Sequence, residues 1–305
     1  MTKTTTTIKP LKNYLRALID NLDKTTIPKK MNLILDGGAF NGGYMAGMLL
    51  YLMELKTLKI TTIEKISGCS IGAISALAYI ANKPDYAITV FEKVLGAFRK
   101  TLCLSEIIPL IRNIADHIDI SKLDNKLFIT YYDITTMKQI VVSTYPNKEM
   151  LIDTVIKSCF IPYLMDGNIN YNDKYCDGCT PYVFKKEPIP TLFISLHGIK
   201  NIGNMIYTKN ETNIWTRLLY GVVDINGFFT NKKSEFCSYV DKWSITDFHI
   251  FHLRELIYFL LIIGIHYSTY INNKVPDSFK SNKYLLRIIE IISTLYKTIF
   301  SYIIL

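Results

Sequence analysis

Long apolar runs, clustered metal ligands and nucleotide-binding loops are all missing from this chain of 305 residues. Its longest stretch free of Asp, Glu, Lys and Arg covers residues 256–273, and the purely apolar part, residues 256–265, is half of what a bilayer span needs. Residues 285–305 are interrupted by Arg287, Glu290 and Lys297. Both segments read as helices packed on a core or lying at an interface, with a C-terminal spanning segment left open. The opening residues hold no apolar h-region and no cleavage site, so no secretory signal is visible. Sparse arginine and the early Asp20 and Asp23 argue against a transit peptide. The cysteines are few and scattered (Cys69, Cys103, Cys159, Cys176, Cys179, Cys237), which suits reduced thiols in an intracellular, cytoplasmic protein. Cys176-x-x-Cys179 has neither a second such pair nor a close pair of histidines, so structural zinc is not expected. The absence of G-K-[ST] and G-x-G-x-x-G excludes a P-loop and a dinucleotide fingerprint. There are no repeats of solenoid length.

What is present is a hydrophobic chain, 49% apolar, long enough to bury a full core. The formal charge of +9 invites a nucleic-acid or anionic-membrane reading, but five of the nine excess charges lie in residues 1–30. Lysines elsewhere are dispersed among apolar runs, and no zinc, RRM or helix-turn-helix signature accompanies them, so nucleic acid is not an expected partner. Leu11, Tyr14, Leu15, Leu18, Ile19 and Leu22 recur at helical spacing, with Lys12, Arg16 and Asp20 opposite. Residues 1–28 therefore read as a basic amphipathic helix, docked on its own domain or anchored at a membrane.

Residues 31–35 form a short apolar run that enters Asp36-Gly37-Gly38, and a helix follows over residues 44–55. Residues 63–69 then lead through Ser70 into an alanine-rich helix over residues 71–81. Two successive strand–loop–helix units predict a parallel sheet with helices on its faces. Residues 86–100 and 150–159 read as helices, and residues 127–132, 139–144, 171–176 and 191–196 as strands. Beyond about residue 210 the sequence is helical and aromatic.

Gly68-Cys69-Ser70-Ile71-Gly72 fits G-x-S-x-G at a strand-to-helix turn. Such a turn forces a strained backbone at the serine, while the flanking glycines let strand and helix approach closely. The helix N-terminus lends positive potential beside Ser70. The second motif, Asp36-Gly37-Gly38-Ala39-Phe40-Asn41-Gly42-Gly43, turns backbone N–H groups into one concavity that suits an anion, either phosphate or the oxyanion of a tetrahedral intermediate. The third, Asp177-Gly178, follows a strand and places a carboxylate able to take the Ser70 proton; alone, it reads better as a hairpin turn.

Together these motifs resemble the patatin-like phospholipase family: a glycine-rich oxyanion loop, a G-x-S-x-G elbow about 30 residues later, and a distal Asp-Gly. Lys157-Ser158-Cys159-Phe160-Ile161-Pro162 resembles the helix-ending segment that precedes the family's catalytic aspartate, and Tyr44-Met45-Ala46-Gly47 its first helix. The resemblance covers about residues 30 to 200. It implies a three-layer α/β/α sandwich with a mostly parallel central sheet over residues 29–205, followed by a helical, hydrophobic extension over residues 206–305. It implies Ser70 as nucleophile and Asp177 as base, with oxyanion donors from Gly37, Gly38, Ala39 and Gly42 and the motif glycines Gly68, Gly72 and Gly178. No cofactor or metal is called for. The implied substrate is a phospholipid or related acyl lipid, reached at a membrane surface by a peripheral protein.

Three positions depart from the family pattern. Ala39 stands where a third glycine is usual and fits if its φ is negative. Asn41 replaces Arg or Lys and removes a positive charge from the loop. Cys179 replaces the second glycine of Asp-Gly-Gly. They motivate an alternative, a catalytically weak membrane-associated binding protein on the same fold. A Ser–acid–His triad could be completed in order by His249 or His252, but no His-Gly motif precedes Ser70. Both histidines sit in an aromatic helical stretch with Phe248 and Phe251, where packed structural histidines are expected. His197-Gly198 reads as a turn.

Overall fold

The computed structural model describes residues 2–184, 188–197, 205, 208, 211, 213–230, 233–274 and 287. The elements run α1 (Thr2–Asp20), β1 (Lys30–Leu35), α2 (Gly42–Thr57), β2 (Thr62–Gly68), α3 (Ile71–Ile80), α4 (Tyr86–Thr101), α5 (Ile107–Ala115), β3 (Leu127–Asp133) and β4 (Lys138–Val142). There follow α6 (Lys148–Ser158), β5 (Tyr175–Cys176), β6 (Thr191–Ile194), α7 (Trp215–Phe229), β7 (Cys237–Tyr239) and α8 (Ile245–Lys274). The helix expected over residues 285–305 lies, apart from Arg287, outside the described residues.

The sheet has the order β4-β3-β2-β1-β6-β7. Its centre, β3-β2-β1-β6, is parallel, while β4 and β7 close the two edges antiparallel. Strand β2 pairs with β3 only as far as Gly68 opposite Ile129. Beyond that point β3 continues, and β5 pairs with it antiparallel, Tyr132 facing Cys176. The short strand thus sits just past the end of β2, and the residue after it, Asp177, faces the turn that carries Ser70. Crevices at the carboxyl ends of parallel strands are where α/β sheets build their sites.

β1 is buried on both faces, as its unbroken apolar run requires. Leu33 and Leu35 join a core shared with α1 to α7, whereas Ile34 points to the other face and packs near Phe193, Phe184 and Phe251. The two covering layers are unequal. Seven helices contribute to the larger core, and α8 with the 181–184 segment covers the second face.

The apolar face of α1 is docked: Leu11, Leu15 and Ile19 are buried, as is Leu22 just past its end. Each such burial contributes roughly 1.5–3 kcal/mol. The Arg16–Glu54 pair at 2.6 Å involves a half-exposed arginine and adds at most about 1 kcal/mol. Apolar packing therefore holds α1, which leaves this face unavailable to a membrane. α7 is likewise part of the main core, with Leu218, Val222 and Ile225 fully buried.

Several expectations are corrected here. The strand foreseen over residues 171–176 is only two residues long, because Asn172 and Asp173 adopt left-handed backbone that turns the chain back. His249 and His252 are exposed on α8 and not packed: the outer arc of this helix faces away from the sheet. The histidine Nδ1 atoms contact Ile245 O and Glu255 Oε2. Among the described residues no helix is long and apolar enough to cross a membrane.

Candidate active site

Ser70 lies between β2 and α3 with φ 51° and ψ −129°, a conformation that costs a non-glycine residue on the order of 1–3 kcal/mol. The surroundings hold it there. Its N–H donates to Ser158 Oγ at 3.0 Å, and its carbonyl accepts from Cys159 Sγ at 3.1 Å. The close approach of strand and helix is visible at Gly72, where a Cβ would lie 2.3 Å from the carbonyl oxygen of Leu35. Any side chain there would drive α3 off the sheet.

The end of α6 also positions the aspartate. Asp177 N–H donates to Phe160 O at 2.9 Å, and Gly178 N–H donates to Ser158 O at 3.1 Å. A Cβ on Gly178 would meet Thr130 O at 2.2 Å. Ser158 therefore touches both candidate catalytic segments, one through its hydroxyl and one through its carbonyl.

Asp177 is partly buried, its Oδ2 inaccessible, and desolvation pushes its carboxyl up to about 6, against the opposing pull of the Ser70 hydroxyl, the Cys179 N–H and His197. Oδ1 accepts the Cys179 N–H at 2.8 Å, whereas buried Oδ2 has no hydrogen bond among the described residues. Ser70 is thus near enough to favour the carboxylate without a closed hydrogen bond, the open arrangement common in substrate-free sites.

In the glycine loop, Gly37 N–H donates to Asp36 Oδ1 at 3.0 Å. Gly42 N–H is turned to the carbonyls of Ala39 and Phe40. Those two donors are engaged within the loop, whereas the N–H groups of Gly38 and Ala39 bond to nothing among the described residues. Ala39 sits at φ 45°, contrary to the negative φ that its methyl group would prefer, and Cys179 at φ 54°. Both positions where glycine is usual thus keep the left-handed backbone that favours it.

Asp36, fully buried, anchors the loop. Burial alone would raise its pKa, but Arg254 and His197 outweigh that and hold it at about 2. Arg254 Nη1 lies 2.6 Å and His197 Nδ1 2.9 Å from Asp36 Oδ2. His197 Nε2 meets Tyr258 Oη at 2.7 Å, so both ring nitrogens are occupied and neither is free to serve Ser70. Gly198 lies outside the described residues.

The positive charge absent at position 41 is supplied from α7. Arg217, 2% exposed, donates from Nη1 to Asn41 Oδ1 at 2.8 Å and clasps Glu211 through Nε and Nη2 at 2.6–2.9 Å. Asn41 Nδ2 in turn donates to Leu196 O at 3.2 Å. Neither Arg217 nor His197 was visible as a site residue from sequence, since no local motif marks them; the i, i+6 spacing of Glu211 and Arg217 has no helical meaning.

Two cavities meet at Ser70. A narrow channel of about 80 Å³ runs between α3, α4 and α5, lined by Ile74, Ala78, Val90, Phe91, Val94 and Ile107. On the other side a vestibule of about 380 Å³ is bounded by Gly38, Asp177, His197, Tyr258, Leu261 and Ile262. Both are walled almost wholly by apolar atoms. Among the described residues no group of three or more His, Cys, Asp and Glu could hold a metal ion.

The model of the patatin-like phospholipase family matches residues 33–97, which include the glycine loop and the serine elbow. A 1-acylglycerol-3-phosphate O-acyltransferase of Mus musculus, Pnpla3, is 26% identical over 215 residues, 63% of this chain and 51% of that protein. The chain spans about half the length of this curated relative.

Proposed function

We propose that this chain, a patatin-like protein by fold and by family match, is a lipid acyl hydrolase that cleaves carboxylic esters through a Ser70–Asp177 dyad. The observation that carries the proposal is the convergence of strained Ser70, the desolvated carboxyl of Asp177 and the unengaged N–H groups of Gly38 and Ala39 where two apolar cavities meet. Asp177 takes the Ser70 Oγ proton as the oxygen attacks the ester carbonyl. The Gly38 and Ala39 N–H groups stabilise the oxyanion, a contribution of roughly 2.7–4 kcal/mol per donor in other enzymes. The alcohol leaves with the proton from Asp177, and an acyl-serine remains. Water, deprotonated by Asp177, then releases the fatty acid.

The apolar channel favours a hydrocarbon chain, and the wider vestibule accommodates the remainder of the lipid. Substrates of this class reside in membranes, so the protein works peripherally at a lipid surface. A second reading is favoured by the vestibule's apolar walls. They disfavour water and would admit a lipid alcohol as acyl acceptor, the kind of reaction named for the mouse relative.

The test is fatty-acid release from defined phospholipids, with Ser70→Ala and Asp177→Asn as controls and labelling by a serine-directed phosphonate. Release and labelling that both vanish in Ser70→Ala support the proposal. A folded wild-type protein that neither reacts nor labels sinks it in favour of a binding protein. Transfer to an added lysophospholipid exceeding hydrolysis favours the second reading.

A further inference from the structure

Helix α8 has its polarity reversed. Its sheet-facing side carries the polar anchors, Arg254 to Asp36 and Tyr258 to His197, together with Phe251 and Ile262. Its outward side carries Ile250, Leu253, Leu256, Ile257, Leu260 and Leu261, all between 50% and 62% exposed. These recur at helical spacing as one stripe. The charged side chains of the same stretch lie elsewhere on the helix, Arg254 turned to Asp36 and Glu255 paired with His252 on the flank. A surface helix of a water-soluble protein has the opposite arrangement, and scattered exposed leucines do not produce six in a row along one face.

We infer that the outward face of α8 is the surface by which this protein docks on a phospholipid bilayer, an inference that rests on the lipid-hydrolase reading above. Leu261 decides between occupants. It is 56% exposed on the outer stripe and also lines the vestibule that ends at Ser70. The apolar face therefore continues without a break into the cavity. Hydrocarbon leaving a bilayer pressed against α8 stays in apolar contact as far as the serine, whereas a second copy seated there would close the mouth. The stripe itself carries no charged side chain that would have to be desolvated in the interface. Binding of this kind scales with the apolar area buried in the interface.

The experiment uses the full chain and the triple variant Leu253→Ser, Ile257→Ser, Leu260→Ser; none of these residues lines either cavity at Ser70. Wild type is expected to co-sediment with phosphatidylcholine–phosphatidylserine vesicles, and the variant to bind at least about tenfold more weakly. Hydrolysis of a soluble, monomeric short-chain ester should be the same in both. Equal vesicle binding by the two proteins overturns the inference. So does a wild-type dimer that the substitutions split into monomers, because the face then belongs to a second copy. Weakened vesicle binding in a protein that is inactive on every ester removes the hydrolase reading and leaves the docking surface standing. If the near-ultraviolet signal of Trp243, which packs on Phe248 and Phe251, reveals misfolding of the triple variant, single Leu253→Ser and Leu260→Ser variants replace it under the same criteria.

Discussion

The hydroxyl of Ser158 accepts the backbone N–H of Ser70 at 3.0 Å, while the carbonyl of the same residue accepts the N–H of Gly178. One side chain on α6 therefore fixes the elbow that bears the proposed nucleophile, and its backbone fixes the turn that bears the proposed base. Replacing Ser158 by Ala leaves the buried Ser70 N–H unpaired, at a cost of about 1–3 kcal/mol. Urea denaturation should register that loss, and ester hydrolysis should fall in kcat more than in KM. Ser158→Thr keeps the acceptor and should recover most of both. Unchanged stability in Ser158→Ala would show the bond to be dispensable.

Asp177 gives a pH dependence with a definite sign. Its carboxyl titrates near 6 in the folded protein, raised by burial from an ordinary value of 3.8. As a base it must be ionised, so kcat/KM should rise with pH up to about 6 and level off above it. Stability moves the other way. Between pH 3.8 and 6 the folded state binds more protons than the unfolded one, so this group's contribution is complete below pH 3.8 and is lost as pH rises through 6. Asp177→Asn should accordingly be more stable than wild type at pH 8, by an amount on the order of 2–3 kcal/mol, and nearly equal to it near pH 3.5. Asp36, held at about 2, has the opposite sign but is common to both proteins. Thermal melts at the two pH values test the difference; a destabilised Asp177→Asn at pH 8 would refute it.

Ala39 holds a left-handed backbone at φ 45° in the proposed oxyanion loop. Glycine at this position removes a steric cost of about 1–2 kcal/mol and adds about 0.5–1 kcal/mol of unfolded-state entropy. Ala39→Gly should therefore be neutral to about 1 kcal/mol more stable and should retain ester hydrolysis. A clear loss of stability in denaturant titration would mean that the methyl group packs favourably enough to offset its strain.

Arg217 stands behind Asn41, and Glu211 stands behind Arg217. Arg217→Met strands the Glu211 carboxylate and removes the donor to Asn41. Breaking a fully buried pair costs about 3–5 kcal/mol; with Glu211 a quarter exposed, about 2–3 kcal/mol is expected here. Hydrolysis of a soluble ester should drop chiefly in kcat, because the loop is displaced while the cavities remain. Arg217→Lys restores charge without the two-pronged grip and should recover only part of either quantity. Equal kcat in Arg217→Met and wild type would disconnect α7 from the loop.

The elements nearest the serine can be read directly from sequence, because each rests on a local cue. An apolar run ending in Asp36-Gly37-Gly38 marks β1, and an alanine-rich period after Ser70 marks α3; both agree with the structure within two residues. α5 and β7 are not legible, one being only nine residues long and the other three. The antiparallel edges and the two-residue β5 depend on how far β3 outruns β2, a register that no single segment encodes. The supporting residues are hidden for a related reason. Arg217 reaches Asn41 across 176 positions and Arg254 reaches Asp36 across 218, so the chain must fold before these pairs exist. Positive φ at Ala39 is equally invisible, since alanine itself prefers the other side of the backbone map.

Among the described residues α8 is the helix that covers the second face of the sheet, and its anchors set a limit on how widely the mouth of the site can open. Arg254 and Tyr258 cannot leave with α8 without breaking the ion pair to buried Asp36 and the hydrogen bond to His197, a separation costing about 3–5 kcal/mol. At that cost a swung-out α8 would be populated in roughly one molecule in 160 to one in 5,000. The entrance is consequently a standing aperture, and turnover on dispersed and on aggregated substrate should begin without a lag.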